Sequence, residues 1–220
     1  ILPLYMAIKY HGLCGSGMYM SLTKWERHNN FTEDNHCEGT RMKAIRTEMN
    51  GVLLLTPEIF EDARGCFFES FNQRIFNEIT GTEHKFVQDN QSKSRKNVLR
   101  GLHYQVKRPQ GKLVRVIAGA IDDVAVDLRK GSGSYGRYFS ITLSSSEHNS
   151  LWVPPGFAHG FLALSDYSEV LYKTTDYYAP EFERTIIWND PDLSIPWKIR
   201  FPILSKKDEC GGRFGDAEPL

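Results

Sequence analysis

From Val52 onward, apolar and polar residues mostly alternate with a period of two. Val124, Val126 and Leu128 alternate with Asp123, Ala125 and Asp127. Phe139, Ile141 and Leu143 alternate with Tyr138, Ser140 and Thr142, and a turn through Gly131 to Gly136 separates the two runs. This periodicity predicts strands, with glycine as punctuation. Val52 to Leu55 is a short apolar run ended by Pro57, and Glu61 to Gly65 predicts a turn followed by a strand over Cys66 to Phe71. Val170, Tyr172 and Thr174 share one face of a later strand, and Trp152 to Gly156 is another break. Phe86 to Ser92 carries Gln88, Asp89 and Asn90 and is more polar than a strand needs to be. One stretch departs from the period: Phe71, Ile75, Phe76 and Ile79 have helical spacing, and Gly81 suits the end of a short helix. Many short strands with Gly and Pro turns and almost no helix predict an all-β sandwich or barrel. With no internal repeat and no low-complexity linker, one domain from Met42 to the end is the economical division.

Composition narrows the classes. A chain of 220 residues can bury one good core, and 40% hydrophobic with 25% charged residues is ordinary for a globular protein. The 27 basic and 27 acidic residues cancel, which argues against nucleic acid as the main partner. No apolar run approaches the roughly 18 residues that span a bilayer, so no membrane partner is expected. Cys14, Cys37, Cys66 and Cys210 form no CxxC pair, so reduced thiols and a cytoplasmic location are expected. Residues 1–41 read differently from the rest. Ile1 to Tyr5 is too short for a signal, Asn29 to His36 is polar without a period, and Met42-Lys43-Ala44-Ile45 reads as a protein start. The expectation is a non-core, non-native extension over 1–41, from read-through or a mis-set start, ahead of a domain over 42–220. His11, His28 and His36 match no ligand spacing.

Candidate chemistry gathers in Leu99 to Val116. His103 follows Gly101 in one apolar run, and Lys112 opens the next. A candidate base and a candidate cation are then carried by neighbouring strands, where a rigid site is best built. Gly101-Leu102-His103 and Pro154-Pro155-Gly156-Phe157-Ala158-His159 resemble the two sequence boxes of the cupin barrel. Metal-binding cupins usually carry two histidines and a glutamate in the first box; here Gln105 stands where a second histidine is common. Two imidazoles without a carboxylate make a poor metal site, so neither metal nor cofactor is expected.

A closer resemblance extends over residues 42 to about 210. Asp62 to Glu69, Gln88 to Ser92, Leu99 to Gln105, Gln110 to Val116 and Asp123 to Arg129 carry it, as do Val153 to Leu164, Tyr172 to Tyr178, Trp188 to Pro191 and Leu204 to Asp208. In this order the blocks resemble the dTDP-4-dehydrorhamnose 3,5-epimerase family. The resemblance implies a cupin or jelly-roll β-barrel with a few short helices, a homodimer, and a dTDP-sugar substrate. The implied reaction is epimerisation at carbons 3 and 5 of dTDP-4-dehydro-6-deoxy-D-glucose, giving dTDP-4-dehydro-L-rhamnose without a cofactor.

By the same resemblance His103 is the base, a role imidazole suits near neutral pH, and Asp208 orients it. Lys112 is the cation beside the enolate oxygen. Tyr172 is the proton donor on the opposite face, although strand position alone makes it a packing aromatic. Asp89 and His159 are implied pocket residues that bind the sugar. Arg64 and Arg100 are implied phosphate contacts; Glu69, Gln88, Asn90, Glu183 and Lys207 are further substrate contacts, and Tyr178 stacks on the base. Two departures look harmless: Gly111 stands where the family often has alanine, and Asp122-Asp123 adds an acid away from the chemistry. Two rivals stay open, a single-carbon epimerase on a related 4-keto-6-deoxy nucleotide sugar and a non-catalytic nucleotide-sugar or metal-binding cupin. Joint presence of His103, Lys112, Tyr172 and Asp208 favours an enzyme.

Overall fold

The computed structural model describes residues 41–220; the expectation for residues 1–41, and those for Cys14 and Cys37, concern residues outside the described ones, Arg41 apart. Strands dominate. In chain order they are β1 (Met42–Arg46), β2 (Leu53–Pro57), β3 (Phe60–Asp62), β4 (Gly65–Phe67), β5 (Gln88–Arg95), β6 (Leu99–Gln105) and β7 (Lys112–Ala118). They continue as β8 (Ala120–Asp127), β9 (Tyr138–Ser144), β10 (Ser150–Val153), β11 (Phe157–Ala163), β12 (Tyr167–Thr174) and β13 (Glu183–Thr185). Two short helices accompany them, α1 (Gln73–Thr80) and α2 (Lys206–Glu209).

The strands form a six-stranded sheet in the order β1-β2-β10-β7-β12-β5 and a five-stranded sheet in the order β13-β6-β11-β8-β9. The strands β3 and β4 pair only with each other as a hairpin. This is an all-β, cupin-like arrangement of two sheets, with no closed barrel among the described residues. The order also corrects one expectation. The strands β6 and β7 follow each other in the chain, yet they lie in different sheets. His103 and Lys112 therefore approach across the interior and not along one sheet.

Burial explains the layers. Val114, Val116, Leu151 and Val170 from the six-stranded sheet meet Ile121, Ala125, Phe139 and Phe161 from the other in the central core. The outer face of the five-stranded sheet (Leu99, Leu102, Val124, Leu128, Leu162) is covered by C-terminal residues including Ile186, Leu193 and Trp197. The outer face of the six-stranded sheet (Leu53, Leu55, Leu113, Trp152) is covered by Ile75 and Phe76 of α1. Each such side chain contributes roughly 1.5–3 kcal/mol on leaving water. Asn72 caps α1 by accepting from the Arg74 and Ile75 amides, and Gly81 ends it at φ 64°, as the glycine signal predicts.

The hairpin strand β4 stops at Phe67, so Phe68 to Phe71 is not strand as expected. The polar Gln88 stretch does form a strand: β5 is an edge strand, paired on one side with β12, where polar side chains are tolerated.

A bulge sets the register beside the site. The strand β11 pairs with β6 through His159↔His103 and Phe161↔Arg100, so two steps on one strand match three on the other. Gly101 has φ 112°, and a Cβ there would lie 2.6 Å from the Gly160 Cα and the His159 carbonyl oxygen. Only glycine lets the two backbones close this far.

Candidate active site

A cavity of about 360 Å³ opens with Arg100, His103 and Gln105 from β6, His159 from β11, Lys112 from β7, Tyr172 from β12 and Gln88, Asn90 and Ser92 from β5 on its walls. Strict alternation along β6 would put Arg100 and His103 on opposite faces. The bulge at Gly101 brings both inward, while Leu99 and Leu102 face the outer core.

His103 Nε2 lies 2.5 Å from Asp208 Oδ1. Asp208 sits on α2 and is buried. Its other oxygen accepts from Ser205 Oγ at 2.7 Å, and the Asp208 amide donates back to Ser205 Oγ at 3.2 Å. Burial opposes ionisation of Asp208, but the His103 hydrogen bond and charge, Ser205 and Lys207 outweigh it and hold the carboxyl below its ordinary range. Asp208 is therefore a carboxylate at neutral pH, and an imidazole held this way keeps Nδ1 free.

Lys112 is only 9% exposed, and its Nζ donates to the His103 carbonyl at 3.5 Å. Burial pulls its pKa down to about 8, against the opposing fields of Glu183 and Asp123. Tyr172 projects from β12, the strand paired with that of Lys112 and in the sheet opposite His103. Burial raises its pKa, Arg100 works against the shift and Glu183 adds to it. The phenol is thus a neutral proton holder at neutral pH.

Towards the mouth, Glu183 accepts from Lys207 Nζ and from Tyr178 Oη, each at 2.9 Å. Burial alone would raise the Glu183 carboxyl, but Lys207, Tyr178 and His103 bring it below its ordinary range. The Tyr178 amide donates to Gln88 Oε1 at 3.0 Å, and Gln88 Nε2 donates to Asn90 Oδ1 at 2.9 Å. Arg100 is exposed and anchored by donation from Nε to Ser94 Oγ at 3.0 Å. Together this is a half-buried base and phenol with a buried cation, behind a rim of amides and charges.

The family model described as dTDP-4-dehydrorhamnose 3,5-epimerase matches residues 46–216. The chain belongs to that family. The curated epimerase of this name from Pseudomonas aeruginosa is 53% identical over 178 residues, spanning 80% of this chain and 98% of the relative. The crystal structure of the dTDP-6-deoxy-D-glucose-3,5-epimerase of Legionella pneumophila, in complex with dTDP-4-keto-L-rhamnose, is 44% identical at a TM-score of 0.78. It covers 80% of this chain and 95% of its own. Less similar is a 3'-monoepimerase from Streptomyces bikiniensis in complex with dTDP-quinovose, 31% identical at a TM-score of 0.71 over 76% of this chain and 86% of its own.

Three residues that the family resemblance assigned to substrate lie outside this cavity. Asp89 is turned to the other face of β5 by the pleat and pairs with Lys173 at 3.0 Å. Arg64 is in the turn of the β3–β4 hairpin, 90% exposed and bound to Asp62. Glu69 follows that hairpin and is half-buried, and it too is no part of the cavity wall. Gln105 lines the cavity, but its amide is engaged in the backbone: Oε1 accepts from the Ala179 amide and Nε2 donates to the Arg108 carbonyl, both at 2.8 Å.

Among the described residues, no three His, Cys, Asp or Glu side chains are grouped to hold a metal, and no helix is long and apolar enough to cross a membrane. Cys66 and Cys210 are free and exposed.

Two functional candidates escaped the sequence reading. Ser205 was visible only as part of a motif. Asp123, set aside as remote, is fully buried and bonds His159 Nε2 at 2.9 and 3.0 Å. The available signal was an acid within a strand covered on both faces, which must have a partner.

Proposed function

We propose that His103 and Tyr172 move the protons in this epimerase, with Lys112 holding the developing enolate oxygen. The chain catalyses 3,5-epimerisation of dTDP-4-dehydro-6-deoxy-D-glucose in dTDP-L-rhamnose synthesis. Carbons 3 and 5 flank the ketone at carbon 4, so each carries an acidified hydrogen. His103 Nδ1 takes that hydrogen, and Asp208 stabilises the imidazolium that forms. The electron pair moves onto the carbonyl oxygen, where the buried Lys112 ammonium is worth more than it would be in water. Tyr172, from the opposite wall, returns a proton to the other face and inverts the centre. The enolate draws this proton from a phenol that burial otherwise keeps protonated. The ketone supplies the acidity, so the scheme calls for no cofactor.

Arg100, Gln88, Asn90, Glu183, Lys207 and Tyr178 form the rim and are our candidates for the nucleotide and sugar oxygens. Arg64 and Glu69 do not line this cavity, so we assign them to the cavity of a second copy in a homodimer. We read the two facing sheets as the jelly roll of a cupin barrel, and residues 42–220 as the catalytic unit.

The observation that carries this reading is a carboxylate-held imidazole and a half-buried phenol on opposing sheets around one cavity. The deciding experiment is proton NMR of the substrate in heavy water. Exchange at both carbons is expected with wild type and loss of both with His103→Ala. Exchange with His103→Ala at the wild-type rate would remove His103 from the mechanism.

A further inference from the structure

Asp123 has no part in the scheme above, yet it is fully buried. A lone carboxylate in such surroundings is strongly destabilising unless paired. Its hydrogen-bonding capacity is directed at one atom: both oxygens face His159 Nε2, at 2.9 and 3.0 Å. The strand register makes this pairing. Asp123 stands opposite Phe161 on β8 and β11, which makes it the diagonal neighbour of His159. On its other side His159 stands directly opposite His103. The cavity thus has two imidazoles side by side, each with Nε2 against a buried carboxylate.

A ring nitrogen between two carboxylate oxygens carries the proton, which leaves Nδ1 with a lone pair. Among the described residues no group hydrogen-bonds His159 Nδ1, and the His159 side chain lines the cavity. Lys112 already supplies a buried cation there, and the field of Asp123 reaches it. His103 serves as the base for both carbons, so the neighbouring lone pair is free for binding. A 4-keto-6-deoxyhexose offers hydroxyl groups next to its reacting centres.

We propose that Asp123 is a positioning residue: it holds His159 with Nε2 protonated, so that Nδ1 accepts a hydrogen bond from a hydroxyl of the bound sugar. The proposal rests on the reading of this cavity as the epimerase site. It gives His159 and His103 different tasks although their carboxylate partners are alike. It also gives a reason for a fully buried acid in the middle of a strand.

The first test needs no variant. Long-range nitrogen–proton NMR of the ¹⁵N-labelled wild-type protein reports the tautomer of each histidine, with His159→Gln assigning the signal. The neutral Nε2–H form is expected for His159; the Nδ1–H form or an imidazolium at neutral pH would overturn the proposal. The second test uses Asp123→Asn, whose amide can either accept or donate and so frees the tautomer. Its kcat/KM should fall roughly tenfold, as for one lost hydrogen bond in a dry site. Affinity for dTDP, which lacks the sugar, should stay at the wild-type value, and His159→Gln should be no worse with Asp123→Asn added. Equal loss of dTDP and dTDP-glucose binding would mean a merely structural Asp123. Selective loss of exchange at one carbon would make His159 a base, and either result sinks the proposal. Turnover by wild type in the same assay tests the epimerase reading separately.

Discussion

Lys112 shows how a single burial shapes both activity and stability. Its pKa of about 8 lies well below the ordinary lysine value because the ammonium has lost its water. Between that value and the ordinary one, the unfolded chain binds more protons than the folded chain, so stability from this group rises with pH through that window. At neutral pH the buried charge is a net cost. Lys112→Met should therefore be more stable than wild type by about 1–3 kcal/mol near pH 7, with the gain shrinking as pH rises through about 8 and beyond, as read by urea unfolding. The same variant should lose turnover. In wild type, kcat/KM should fall on the alkaline side with an apparent pKa near 8, as Lys112 loses its charge. An alkaline limb that stays above pH 10 would show that this lysine is not the one required. Asp208→Asn tests the other partner. It should lower kcat on the order of 100-fold while dTDP still binds, because an amide cannot stabilise the imidazolium. Unchanged kcat would leave Asp208 with no role in proton transfer.

At the scale of elements, one-residue irregularities decide where side chains point. The bulge at Gly101 is one. Gly111 is a second position where the absence of a side chain matters: a Cβ there would overlap the Trp152 ring and press on Pro155 at 3.0 Å. The indole fills the space that a methyl group would occupy, and it also packs edge-on against Phe76 of α1. Alanine is thus not a neutral exchange in this chain. Gly111→Ala should cost about 1–3 kcal/mol by thermal or urea unfolding, and should raise KM by displacing the adjoining Lys112. A variant as stable as wild type would mean that Trp152 moves aside freely. The short helix α2 makes a related point. Its single turn is capped by Ser205, and the chain on either side is tied down by parallel bridges, Val98↔Ile203 and Ile186↔Gly212. Asp208 owes its position to these ties, since four residues do not hold a helix by themselves.

At the scale of the molecule, the exposed β3–β4 hairpin and the cavity need each other only if two copies assemble. Mixing inactive Arg64→Ala protein with inactive His103→Ala protein, after exchange of subunits, should restore activity, because the mixed dimer has one cavity with neither substitution. No recovery from demonstrably mixed dimers would place Arg64 outside the substrate site. Deleting residues 1–41 should leave turnover within about twofold and the melting temperature unchanged, since the domain match begins after them. A large loss would make that segment part of the fold.

Much was written in the chain itself. The period-two runs around Val124 and Phe139, the helix stopped by Gly81 and the blocks around His103, Lys112, Tyr172 and Asp208 are local or linear properties. Strand geometry and side-chain chemistry follow from them wherever the chain goes. What tertiary structure alone decided are the relations between distant residues. It put His103 and Lys112 in opposite sheets, brought Asp208 to an imidazole 105 positions away, turned Asp89 outward and gave the buried Asp123 to His159. None of these has a local signature. Each depends on strand order, on a bulge that shifts register by one residue, and on which face of a strand a second layer happens to cover.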